Sequence, residues 1–143
     1  MLWSEVATKN PFTVLVVDDE ASIRGLCKRL LAAEGYNVRV AADGVEALEI
    51  LASGSQVDCA VIDLVMPKMG GITMAMKLHD LRPTLPTVII SGQVDLEANS
   101  IKGLTAMMNS DTSCLLRKPF TNAQLIDAVH RALARGSQNQ SHG

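Results

Sequence analysis

Aromatic residues are scarce in this chain: one Trp, one Tyr and two Phe make up 3% of it. Since the hydrophobic content of 48% is ordinary for a globular protein, its core must be built from aliphatic side chains, Ala and Met. Cysteine is nearly as rare. Cys27, Cys59 and Cys114 are odd in number and lack paired spacing, which argues against a disulfide framework and against a zinc site. Each sits in an apolar segment, where a thiol acts as a small hydrophobe. No apolar run approaches the roughly 20 residues of a transmembrane helix. Residues 1–11 contain Glu5, Thr8, Lys9 and Asn10 and no apolar h-region, so they do not read as a signal peptide. There is no basic block or stripe, and the net charge is −2. These features exclude an electrostatic nucleic-acid binder and a membrane-surface binder. A length of 143 residues suits one domain. The expectation is a cytoplasmic protein with no direct nucleic-acid or membrane contact.

What is present is an alternation of two patterns. Short apolar runs occur at Thr13–Val17, Val38–Ala42, Val57–Leu64, Thr87–Ile90 and Ser113–Leu116. Most are near-continuous in apolar residues, as strands buried on both faces are. Between them lie segments of helical period. Ile23, Leu26, Cys27, Leu30 and Leu31 form one stripe, and Gly35 follows as a helix C-cap. Asp43 and Glu46 have capping-box spacing ahead of Ala47, Leu48 and Leu51. A third helix is predicted over Gly71–Leu81, with Ile72, Ala75 and Met76 on one face and Pro83 and Pro86 beyond its end. A fourth, weaker pattern covers Val94–Met108, with Gly103 inside it. Thr121 and Gln124 open a fifth, followed by Leu125, Val129 and Leu133. Five βα units predict a flavodoxin-like, doubly wound α/β fold with a five-stranded parallel sheet in the order 2-1-3-4-5. Residues 1–11 read as an N-terminal tail, 12–135 as the domain, and the polar stretch 136–143 as a disordered tail.

In such a fold ligands bind outside the carboxyl ends of the strands, at the switch point between strands one and three. Strand one ends on Asp18 and Asp19, and strand three on Asp63. Three carboxylates in one crevice oppose each other's ionisation, and a divalent cation resolves the conflict. All-oxygen ligands favour Mg²⁺, Ca²⁺ or Mn²⁺, and Mg²⁺ in particular takes few carboxylates and completes its shell with water and phosphate oxygens. Ser91 ends strand four and Lys118 follows strand five on the same edge. A hydroxyl and an ammonium suit a transferring phosphoryl group, whose charge is spread over its equatorial oxygens. Arg117 adjoins Lys118, but successive strand residues face opposite ways, so only one of the two cations enters the site. Singly, each of these residues has a plain structural role as helix-end acid, turn residue or solvated charge. Their joint placement on one edge is what argues for a site.

Taken together, Val16-Val17-Asp18-Asp19-Glu20, Val61-Ile62-Asp63-Leu64-Val65-Met66-Pro67, Ile89-Ile90-Ser91-Gly92 and Lys118-Pro119-Phe120 resemble the receiver family of response regulators over roughly Thr13–Arg135. The resemblance implies that Asp63 is the phosphoacceptor. It implies that Mg²⁺ is held by Asp19 directly, by Asp18 mainly through water, by Asp63 and by the Val65 carbonyl. It implies that Lys118 pairs first with Asp63 and then with the phosphoryl group, that Ser91 hydrogen-bonds a phosphoryl oxygen, and that Lys118-Pro119 is cis. The donor it implies is a phosphohistidine on a sensor histidine kinase or histidine phosphotransfer protein. The output it implies is an altered face made of the 94–108 segment, strand five and the last helix, read by a downstream protein target or a fused output domain.

Two positions depart from the family pattern. Leu115 stands where a switch aromatic is usual, and the stretch between Ser91 and Lys118 is longer than usual, with Met108-Asn109-Ser110-Asp111 ahead of strand five. They leave room for a degenerate receiver that serves as a phosphorylation-independent interaction module. An Asp-nucleophile phosphatase is the other rival, but such enzymes carry a second acid two residues after the nucleophile, where this chain has Val65. The expectation is a signalling module and not a turnover enzyme.

Overall fold

The five apolar runs form one parallel sheet. The computed structural model describes residues 12–63, 71–91 and 113–142, without the side chains of 71–72, 91, 113 and 136–142. The strands are β1 (Thr13–Val17), β2 (Asn37–Ala41), β3 (Cys59–Asp63), β4 (Thr87–Ser91) and β5 (Ser113–Arg117). The described helices are α1 (Ala21–Ala33), α2 (Gly44–Ala52), α3 (Gly71–Leu81) and α4 (Asn122–His142). Sheet order is β2-β1-β3-β4-β5, the expected doubly wound arrangement, with every neighbouring pair parallel. The predicted helix over 94–108, Val65, Met66, Pro67, Gly92, the 108–111 stretch and the N-terminal tail lie outside the described residues.

The sheet separates two cores, because alternate side chains of a strand point to opposite faces. Leu15, Val17, Ala60, Ile62 and Ile89 point to one side, where Ala47, Leu51, Met74 and Leu78 of α2 and α3 cover them. Val14, Val16, Val61, Val88 and Ile90 point to the other, against Cys27 and Leu31 of α1 and Leu125, Val129 and Leu133 of α4. All five residues of β1 and of β3 are buried, while the outer strand β2 alternates between exposed and half-buried before ending on buried Ala41. Cys27 and Cys59 are buried and Cys114 half-buried, all as free thiols. β4 lies between the strands of Cys59 and Cys114, so a bond between those two has no route.

Local chemistry sets the element boundaries. Gly35, at φ +96°, closes α1 in a Schellman turn: its N–H donates to Ala32 O at 3.0 Å, and the Tyr36 N–H to Leu31 O at 3.2 Å. Both predicted capping pairs are made. Asp43 Oδ1 accepts from the Glu46 N–H at 2.9 Å, while Glu46 Oε1 accepts from the Ala42 N–H at 3.1 Å. Thr121 Oγ1 accepts from the Gln124 N–H at 3.1 Å, and Gln124 Oε1 from the Thr121 N–H at 2.8 Å.

Two readings need correction. The buried face of α3 is Met74, Ala75 and Leu78, and Met76 is 37% exposed. Met74 and Leu78, one turn apart, share the inward face, and Met76, half a turn from both, cannot join them. The stretch 136–143 is not a disordered tail up to residue 142, since α4 runs on to His142. Extending a nucleated helix adds one hydrogen bond per residue fixed, so a polar stretch without proline can follow one that is already packed.

The capping pair at the start of α4 gives a direct test. Thr121→Val removes the accepting hydroxyl and keeps the side-chain shape. It is expected to cost about 1 kcal/mol, seen as a lower urea midpoint with unchanged slope.

Candidate functional site

The carboxyl edge of the sheet gathers the acidic residues. Asp18 directly follows β1 and is 2% exposed. Its N–H donates to Ala41 O on β2 at 3.2 Å, extending the ladder by one residue and setting where the side chain emerges. Its Oδ1 accepts from the Glu20 N–H at 2.9 Å, which turns the chain into α1. Asp63 is the last residue of β3, the strand beside β1, and is also 2% exposed. Asp19 is exposed, and carboxylate oxygens of Asp18, Asp19 and Glu20 lie within 4.8 Å of one another.

Lys118 enters from the far side. It follows β5, two strands from β3, and its Nζ lies 2.9 Å from Asp63 Oδ2. Its side chain is 34% exposed, so it reaches the buried Asp63 carboxylate while staying partly in contact with solvent. Arg117, one residue earlier, is exposed. Only one of the two adjacent cations enters, as strand alternation requires. The Lys118-Pro119 peptide bond is cis.

The electrostatics follow from burial and crowding. Asp18 has its carboxyl raised from an ordinary 3.8 to about 6. Burial is the main cause, the negative Asp63 beside it adds to the rise, and the Glu20 N–H and Lys118 oppose it. Burial alone would lower the Lys118 ammonium, but its hydrogen bond to Asp63 and the charges of Asp63, Asp18 and Glu20 raise it on balance. A buried carboxylate pair with one ammonium carries excess negative charge, and more carboxylate oxygens stand at its rim. That donor set fits a hard divalent cation such as Mg²⁺.

The sequence reading is placed unevenly. Asp18, Asp63 and Lys118 come together, with Asp19 at the rim. The backbone of Ser91 ends β4 on the same edge, while the Ser91 hydroxyl and Val65 lie outside what is described. Two contributors were not singled out. Glu20 joins the acidic group, and Arg24 Nη1 donates to the Asp18 carbonyl at 2.7 Å, tying α1 to the end of β1. Their spacing held a signal: Glu20 and Arg24 are one helical turn apart at the start of α1, on the side facing the strand end.

The raised Asp18 carboxyl sets a pH dependence. Below about pH 4 the group is protonated whether the chain is folded or not; between about 4 and 6 only the folded state keeps the proton; above 6 both states have lost it. The metal-free fold therefore loses stability as pH rises through that window. Asp18→Asn should match the parent near pH 4 and exceed it by about 1–3 kcal/mol at pH 7 without metal. Urea midpoints at the two pH values check this, and a variant no more stable at pH 7 would contradict it.

Comparison with known proteins bears on this arrangement. The response regulator receiver domain family matches residues 14–130. The response regulator MprA of Mycobacterium sp. (strain KMS) is 30% identical over 130 residues, covering 91% of this chain and 54% of that protein. MprA of Mycobacterium ulcerans (strain Agy99) is 34% identical over 122 residues, covering 85% and 50%. The chain thus spans about half the length of these curated relatives. Among solved structures, a CheY-like receiver domain protein from Methanospirillum hungatei JF-1 superimposes with a TM-score of 0.79 at 28% identity, covering 91% of this chain and 99% of that one. A response regulator receiver protein from Sinorhizobium medicae WSM419 does so with a TM-score of 0.72 at 35% identity, covering 88% and 98%. With the sheet order, the acidic edge and the Lys118–Asp63 pair in place, the chain belongs to the response regulator receiver domain family of two-component signalling.

Proposed function

We propose that Asp63 accepts a phosphoryl group from a phosphohistidine on a sensor histidine kinase or histidine phosphotransfer protein, with Mg²⁺ bound at the acidic edge. The observation that carries this reading is the buried Asp63 carboxylate held by the Lys118 ammonium at 2.9 Å, beside Asp18. An Asp63 oxygen attacks phosphorus, the P–N bond breaks, and its electron pair leaves on the donor imidazole. Mg²⁺, when bound, neutralises charge on the phosphoryl oxygens. Asp18 and Asp19, with Asp63 and the Val65 carbonyl, would hold it. Lys118 fixes the attacking carboxylate beforehand and afterwards has a phosphoryl oxygen to pair with. The Ser91 hydroxyl is assigned to another phosphoryl oxygen.

The phosphoryl group adds close to two negative charges and three acceptor oxygens at the edge of the sheet. That change reaches a partner through the face built on β5 and α4, where Leu115 is 38% exposed. A downstream protein or a fused output domain would read it. The chain acts as a signalling module, phosphorylated once and slowly self-dephosphorylated, and its place of work is the cytoplasm. Among the described residues no helix is long and apolar enough to cross a membrane.

Intact mass after incubation with Mg²⁺ and a small acyl phosphate tests the reading. The parent should gain one phosphoryl group, and Asp63→Asn, or the parent without Mg²⁺, should gain none. Lys118→Ala should slow the gain by about 10²-fold, as loss of one charge-stabilising donor does. A parent that gains nothing from the acyl phosphate and nothing from a phosphohistidine donor is instead the phosphorylation-independent interaction module.

A further inference from the structure

α1 starts without the kind of cap that starts α2 and α4. Its N-cap residue, Glu20, makes no side-chain cap hydrogen bond, whereas Asp43 and Thr121 cap the other two helices. Arg24, one turn into α1, ties the connection from β1 down instead. Its own N–H donates to Glu20 O at 3.0 Å, the first hydrogen bond of the helix. Its Nη1 donates to Asp18 O at 2.7 Å, a short bond from a charged donor. Arg24 is half-buried, so this bond is only partly open to competition from water.

These bonds converge on Asp19. The Asp18 carbonyl and the Asp19 N–H belong to one planar peptide unit, and the Asp19 carbonyl and the Glu20 N–H to the next. Arg24 holds the first plane through Asp18 O. Asp18 Oδ1 holds the second by accepting from the Glu20 N–H at 2.9 Å. Asp19 joins the two planes, so fixing both fixes the direction in which its side chain leaves the backbone. Among the described residues the exposed Asp19 carboxylate has no hydrogen-bond or ion-pair partner of its own. Its backbone therefore sets its aim, and an oxygen of it stands within 4.8 Å of oxygens of Asp18 and Glu20. The guanidinium does not serve to neutralise the acids. Its bond goes to a carbonyl, and the charges that move the Asp18 carboxyl are those of Asp63 and Lys118, not that of Arg24.

We propose that Arg24 is a positioning residue for the divalent cation at the acidic edge: it orients the Asp18–Asp19 peptide and thereby aims the Asp19 carboxylate at the ion. This inference rests on the reading that a cation binds there. Two effects of opposite sign meet in Arg24. As a cation it opposes the arrival of a second one. As the brace of the Asp18–Asp19 peptide it favours binding, because a ligand held in place beforehand need not be ordered by the metal. Positioning is the larger of the two, since the charge is directed at a carbonyl and away from the carboxylates.

Mn²⁺, another dication that prefers oxygen ligands, is the probe, and the electron paramagnetic resonance signal of free Mn²⁺ gives its Kd without phosphorylation. Arg24→Met removes the donors and keeps an unbranched stem and a good helix former. Far-UV circular dichroism and the urea midpoint verify its fold. It should raise the Kd about 10-fold or more. Arg29→Met, which removes an equal charge from an exposed position on α1, should not raise it. In an Asp19→Asn background, Arg24→Met should change the Kd by less than about twofold, because the ligand it aims is gone. If Arg24→Met does not fold, Arg24→Gln, whose side chain ends short of the Asp18 carbonyl, replaces it with the same expectation. A Kd unchanged or lowered in the folded variant would overturn the proposal, since loss of charge alone tightens cation binding. An equally large rise in the Asp19→Asn background would overturn it too. A parent that binds no Mn²⁺ would instead remove the cation reading itself, and this inference with it.

Discussion

Asp18 and Asp63 lie side by side out of water, and much of the carboxyl edge is arranged around the cost of that placement. Two buried negative charges repel in a medium that screens them poorly. Lys118 offsets part of the repulsion by reaching across β4 to Asp63. The Glu20 N–H offsets more by donating to Asp18. Burial, together with the repulsion that remains, appears as the raised Asp18 carboxyl, and the repulsion is what a divalent cation would remove. A divalent cation bound there would relieve that repulsion, and its binding free energy would add to the stability of the fold.

The sheet makes this placement possible. Its central strands are covered on both faces by separate aliphatic cores, so their ends are held by packing and not by the polar groups they carry. The Schellman turn at Gly35 ends α1, and the capping pairs at Asp43 and Thr121 start α2 and α4 at defined residues. Asp18, Asp63 and Lys118 thus stand on three strand ends whose relative height is set by the ladder. Positioning of this kind is most of what phosphoryl transfer asks of a protein.

The two poles of the domain carry different groups. The carboxyl pole gathers Asp18, Asp19, Glu20, Asp63 and Lys118. At the amino pole two charged residues are matched locally: Asp58 to the Thr13 N–H and the Gln56 amide, Arg82 to two carbonyls.

The sequence by itself determined the fold class, strand order and most of the site, because each rests on local pattern. Uninterrupted apolar runs at Thr13–Val17 and Cys59–Asp63 state that these strands are covered twice. Acids at their ends follow from simple counting once the strands are parallel. Capping pairs and Gly35 were legible because a cap is a contact between residues a few positions apart. What lay beyond the sequence required distance in space. The raised Asp18 carboxyl depends on how far it sinks below the surface and on the Asp63 carboxylate that the sheet sets beside it. Arg24 as a brace for the Asp18 carbonyl depends on how α1 leans on β1. The inward turn of Met74 in place of Met76 depends on the rotation of α3 about its own axis, which hydrophobicity alone leaves open when Met stands at both positions. An open groove at the amino edge is the clearest case. Val57, Asp58 and Leu81–Pro86 are separated by more than twenty residues, and only the pairing of β3 with β4 brings them face to face.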